Sequence, residues 1–226
     1  EFVDPDREPA KAIQAGIASS GVLVFQRGDR RQETFAVDEQ DITSAIFKVS
    51  RDEEKEVYFT TGHGERDPLG ALGEDYSGIA EVLRRDNYTV QTINLATVTD
   101  TLPSDLDVLI IAGPQGPFEP REAERVAQYL NDGGKVMVLA DPGVDSGLDV
   151  ALADWGVSLP NNVVIDPAGA FFGDVLTPLV SQYRFHTITK DLGGLSTFFP
   201  LARPISVAET VSDKSVTSLI ETGSQA

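Results

Sequence analysis

The chain has 226 residues, of which 41% are hydrophobic and 24% charged, enough for one large α/β domain or a medium domain with a partial second one, and not the composition of a disordered chain. Its 36 acidic residues against 18 Lys and Arg give a formal net charge of -18, a sign that repels phosphate backbones and anionic lipid headgroups and so argues against nucleic-acid or lipid-surface binding through this domain. Without a cysteine the chain has no disulfide, no thiolate metal site and no cysteine nucleophile, and it has no apolar run near the roughly 20 residues that span a bilayer.

From the N-terminus, residues 1–3 read as the end of a strand, Asp4-Pro5 turns the chain, and a short helix is expected over 9–15. A strand over 21–26, a hairpin turn at Gly28, a second strand near 34–37 and a helix over 39–49 follow. This order resembles the second half of a thioredoxin-like domain. Two departures limit what that resemblance implies: no CxxC exists, and Ser20-Gly21 stands where thioredoxins carry a cis-proline. Residues 1–52 are therefore expected to form a partial thioredoxin-like segment without redox chemistry. The charged stretch over 51–56 reads as a solvated linker to a second unit, 57–226.

In the second unit strands and helices alternate. Strands are expected over 57–61, 89–95, 107–112, 135–140 and 162–165, and the run DVLIIA has the continuous apolar character of a strand buried on both faces. Tyr76, Ile79, Ala80 and Leu83 share a face of a helix within 74–87. The clearest helix spans 119–132: Pro120 suits the first helical position, Glu122 and Glu124 favour the positive N-terminus, and Gly133-Gly134 ends it. Leu148, Ala151, Leu152 and Trp155 make one more amphipathic face, and a strand interrupted by Pro200 and Pro204 is expected over 197–208. The pattern predicts an α/β fold, a doubly wound, mostly parallel sheet of flavodoxin-like type with helices on both faces.

Ligands of such sheets bind beyond the carboxyl ends of the strands. Three polar turns fall there: Gly62-His63-Gly64-Glu65, Gly113-Pro114-Gln115-Gly116 and Asp141-Pro142-Gly143. If the first, third and fourth strands of this unit are neighbours, His63, Glu65 and Asp141 converge, and such a cluster could do acid-base work or hold a metal or sugar. The alternative is structural: the glycines serve sharp turns, and the polar side chains bond loop amides. With no nucleophile beside the cluster, the structural reading leads. His186 reads as the partner of a backbone group before it reads as a catalyst, and Trp155 and Phe171-Phe172 as packing before a sugar platform. Neither G-x-G-x-x-G nor a phosphate-binding G-x-x-x-x-G-K-[ST] occurs, and the two histidines lack zinc-site spacing, so no cofactor and no metal are expected.

The strings VYFTTGHGE, DLDVLIIAGP, YLNDGGKVMVLADPG and HTIT, preceded by VDPDREPA and DEQDITSAIFKV, together resemble the auxiliary extracytoplasmic component of uncharacterised, gliding-motility-type ABC transport systems. The resemblance runs over nearly the whole chain. It implies a fold similar to class I glutamine amidotransferases, with related domains in intraflagellar transport proteins. In an active amidotransferase a nucleophilic cysteine occupies the elbow after a central strand, which corresponds here to Asp141-Pro142-Gly143, so the resemblance implies that the chemistry is lost.

It also implies partners, namely permease and ATPase subunits on other chains, and a place on the extracytoplasmic face of the cell membrane, held by segments outside this stretch of a longer protein. The expected function is a non-catalytic binding or scaffolding domain. Gly62, His63, Gly64, Glu65, Gly113, Gln115, Asp141 and His186 are the residues expected to meet a protein, small-molecule or sugar ligand. The alternatives are a hydrolase using His63, Glu65 and Asp141, or a carbohydrate-binding domain at the same loops.

Overall fold

A computed structural model describes residues 3–17, 19–35, 37–50, 55–99, 101–208 and 213–222. The expected strand end at 1–3 and the linker expected over 51–56 fall partly outside them; Val3 is not in a strand, and Lys55 and Glu56 already belong to one.

The N-terminal part is a helix, a hairpin and a second helix. Helix α1 (Pro9–Gln14) is tied to the hairpin by the Arg31 guanidinium, which donates to the Ala15 carbonyl at 2.8 Å. Strands β1 (Leu23–Arg27) and β2 (Arg30–Thr34) pair antiparallel with Arg27 opposite Arg30, so only Gly28-Asp29 turn the chain. So short a turn starts the second strand earlier than the sequence suggests and leaves Phe35 and Val37 outside it and exposed. Helix α2 (Glu39–Ser50) packs on this hairpin and reaches the second unit, where Ser44 Oγ donates to the Arg85 carbonyl and Arg85 pairs with Asp41.

The second unit is built on a four-stranded parallel sheet of β3 (Lys55–Thr60), β4 (Tyr88–Ile93), β5 (Leu106–Ala112) and β6 (Lys135–Leu139), in the order β4-β3-β5-β6. Alternation of side chains sends Val57, Phe59, Ile110 and Ala112 to one face, where they meet Ala80 and Leu83 of α3 (Ser77–Arg85). Leu109 and Ile111 go to the other, against Val126 of α4 (Pro120–Asn131) and Ala151 of α5 (Asp149–Ala153). Each fully buried Phe59, Leu109 or Ile111 side chain is stabilised by about 1.5–3 kcal/mol relative to exposure. β3 and β5 are central, so the turns that follow them come out side by side at one end of the sheet.

Beyond α5 the chain forms small antiparallel sheets. β7 (Val157–Ser158) pairs with β11 (Ser206–Val207), and β9 (Asp174–Val180) lies between β8 (Ala170–Phe171) and β10 (Thr197–Phe198). The expected strand over 162–165 does not form: Val164 makes one backbone bond, to Ala202, and no ladder. The single strand expected over 197–208 is two short ones, because Pro200 and Pro204 supply no N–H to a ladder. Arg203 holds this region to the sheet end, donating to the carbonyls of Asp141, Val144, Leu159 and Pro160.

Asp174 starts β9 by accepting from Thr177 Oγ1 at 2.7 Å and from the Leu176 amide at 3.0 Å, and these bonds, the hydroxyl's first, lower its pKa below the ordinary value. A carboxyl lowered on folding stabilises above its unfolded pKa and loses that contribution as pH falls through its folded one. The hydrogen-exchange protection factor of the Leu176 amide should therefore decline below about pH 4, and Asp174→Asn should flatten that dependence. Unchanged protection in the parent down through the acid range would refute the assignment.

Candidate functional site

The turn after β3 is fixed by its backbone before its side chains act. Thr61 N–H donates to Ile93 of β4, Arg66 N–H to Ala112 at the end of β5, and Gln115 N–H to the His63 carbonyl at 2.7 Å. Gly64 makes this approach possible: its φ is +78°, and a Cβ there would lie 3.0 Å from Gln115 Cβ. Gly64→Ala should cost about 1–2 kcal/mol for the left-handed backbone alone, whereas Gly116→Ala, with open space around it and no positive φ, should fall within about 0.5 kcal/mol of the parent. Urea denaturation of the two variants makes the comparison.

This backbone carries His63 to the N-terminus of α4. Its Nε2 lies 3.0 Å from Glu122 Oε2, its Nδ1 lies 3.7 Å from Glu65 Oε1, and its ring packs on Phe118 with centroids 4.3 Å apart. Glu122 Oε2 also accepts the Glu119 N–H at 2.8 Å, the reach-back half of a capping box. Glu65 Oε2 accepts the His63 N–H at 2.7 Å. Both carboxylates are almost wholly enclosed, with side chains 1% and 2% exposed, and the imidazole is 14% exposed.

The sequence-expected residues thus divide into separate sets. His63 and Glu65 meet, joined by Glu122 and Phe118, which sequence reasoning did not select. Asp141 is half exposed and faces Arg66, which also pairs with Glu74. Gly113 lies against Asp141 and Arg66, and the Gln115 side chain donates to the Gly113 carbonyl. Gly62 is set at φ +115°, beside Asn94. His186 accepts the Ile188 amide through Nδ1 and its carbonyl takes two more amides of the same turn, contacts confined to its own segment. A cleft of about 570 Å³ opens elsewhere, at the seam between α2 and the α3–β4 turn, lined by Glu39, Phe47, Asp86 and Tyr88. Among the described residues no group of three or more His, Asp or Glu side chains is placed to hold a metal ion.

Glu122 left a signal that could have been read. It sits in step with Val126 and Leu130 and next to Ala123 and Ala127, on the stripe that α4 buries. A carboxylate on an apolar stripe demands a donor.

A family model described as an ABC-type uncharacterized transport system matches residues 54–226, the whole parallel sheet and everything after it. The chain belongs to that family. This ABC-type transport family member is also similar to a solved structure described as "mmIFT52 N-terminal domain", at 21% identity and a TM-score of 0.57 over 74% of this chain and 73% of the other. That likeness is one of fold alone. A search of curated proteins gives no match. Among the described residues of this family member, no helix is long and apolar enough to cross a membrane.

Proposed function

We propose that this is a non-catalytic binding or scaffolding domain of an auxiliary protein in an ABC transport system, anchored to the membrane through other segments. It works on the extracytoplasmic side beside permease and ATPase subunits on separate chains. Family membership supports the transport assignment. The observation that carries the non-catalytic reading is that both ring nitrogens of His63 face carboxylates, so neither is turned to a hydroxyl it could activate. The turn after β6 agrees with it, since Asp141 there pairs with Arg66 and no thiol is available.

The parent protein should co-purify with an ATPase and a permease encoded beside it, and the isolated domain should turn over no amide, ester or glycoside. Turnover that His63→Ala abolishes would establish the hydrolase alternative instead. A carbohydrate reading draws on Phe172, 95% exposed at the β8–β9 turn next to the stacked rings of Phe171 and Phe198. A sugar that binds only the native state must raise the melting temperature, so a thermal-shift panel tests it.

A further inference from the structure

The N-terminal part meets the second unit at the cleft of about 570 Å³, beside the first residue of β4 and so at the end of the sheet opposite the turns that carry His63 and Asp141. One wall is a single face of α2, on which Glu39, Thr43 and Phe47 follow one another at steps of four residues. The other wall is the α3–β4 turn. Asn87 is buried there with a left-handed backbone, φ +70°, and the sharp turn it makes sets Asp86 and Tyr88 on either side of it, both lining the cleft. Ser44 Oγ closes the seam by donating to the Arg85 carbonyl at 2.9 Å.

The lining is acidic and aromatic. Glu39 and Asp86 supply two carboxylates, and among the described residues that line the cleft none is Lys, Arg or His. Neither carboxylate has a hydrogen bond or an ion pair among the described residues, whereas the neighbouring Arg85 is turned to Asp41 at 3.6 Å. Phe47 and Tyr88 supply the apolar part, Tyr88 partly buried against the cluster around Val57 and Phe59. An anion is repelled here, and a purely apolar molecule would take both carboxylates out of water without a partner. A cation with an apolar body uses both features, its charge drawn to the carboxylates and its body to the rings, whose faces also attract positive charge. The volume is that of a small-molecule site, and no three described His, Asp or Glu side chains gather to ligate a bare metal ion.

We propose that the cleft between α2 and the α3–β4 turn binds a small organic cation with an apolar body, its charge held by Glu39 and Asp86 and its body laid against Phe47 and Tyr88. This goes beyond the transport assignment and uses none of the strand-end residues, so the two stand or fall separately.

Benzyltrimethylammonium is the probe, compared with tetramethylammonium, which has the charge without the ring, and benzyl alcohol, which has the ring without the charge. A ligand of this size binds in about the millimolar range, so each titration runs to about 50 mM at constant ionic strength and is followed by backbone amide NMR. The expected result is a saturable shift of the Thr43, Ser44, Asn87 and Tyr88 amides with benzyltrimethylammonium, and an affinity about fivefold or more weaker for each of the other two. Glu39→Gln combined with Asp86→Asn should weaken the probe by about fivefold or more. Both residues are exposed, and their loss leaves all but two of the formal net charge of -18, so the field of the whole chain cannot account for such a change.

Equal affinity for the probe and either comparison compound, shifts that do not saturate or that spare the cleft, or an undiminished response in the double variant would each overturn the proposal. Should the double variant fail to fold, the three titrations of the parent still decide. A protein that assembles with its transport partners while the domain ignores the probe refutes the cation site alone. One whose domain binds the probe but which never assembles refutes the scaffold alone.

Discussion

Glu122→Ala is expected to destabilise the domain by about 2–4 kcal/mol, a fall in melting temperature of roughly 5–15 °C for a chain of this size. The carboxylate has two jobs, and alanine does neither. Its removal frees the Glu119 N–H at the first turn of α4, a loss of about 1 kcal/mol for a cap, and it takes away the carboxylate that faces His63 Nε2 at 3.0 Å. Glu122→Gln should lose less than half as much, because an amide oxygen still accepts and one of two buried carboxylates is gone. Thermal melts of the three proteins decide the matter. An alanine variant within about 2 °C of the parent would mean that the cluster contributes nothing to folding and is held by the rest of the structure at its own expense.

Arg203→Ala should cost a comparable amount, about 2–4 kcal/mol, through one guanidinium that donates to four carbonyls. Those carbonyls, of Asp141, Val144, Leu159 and Pro160, belong to the turn after β6 and to the segment that follows β7. They lie in loops, where no ladder satisfies them. Lysine has a single nitrogen and cannot span the same fan, so Arg203→Lys should recover less than half of the loss. Urea denaturation gives the magnitude, and hydrogen exchange should show the Gly143 amide, which donates to Asn161 Oδ1, opening first. Arg203→Ala at parental stability, with the 141–147 turn still protected, would refute this account.

Elements whose signals are local were legible. DVLIIA announces a strand buried on both faces, and β5 is one, with Leu106 and Leu109 through Ala112 all buried. Pro120 and Gly133-Gly134 bracket α4 to within a residue. Where strands depend on a distant partner the sequence was less informative. Residues 162–165 have the composition of a strand, but Val164 meets only Ala202, and the proline-broken segment opposite could not complete a ladder.

The site divides along the same line. That the turns after β3, β5 and β6 share one end of the sheet follows from strand order, which the alternating pattern suggests. Which side chains touch across that end does not. Asp141 turns to Arg66, while Glu122, counted from sequence as a helix-terminus charge, reaches His63 from the first turn of α4. Such pairings depend on rotamers and on loop closure, and neither has a period.

The position of Glu122 has a consequence for what this sheet end can accept. In open parallel sheets the positive end of a helix after a central strand is where phosphates settle, held by free backbone N–H groups and the helix dipole. Here that seat is filled by the protein's own carboxylate, which takes the Glu119 N–H itself and places a second acid, Glu65, within reach of the same imidazole. One side chain on the buried stripe of α4 thus occupies, with a carboxylate, the place that phosphates take in nucleotide-binding sheets of this kind.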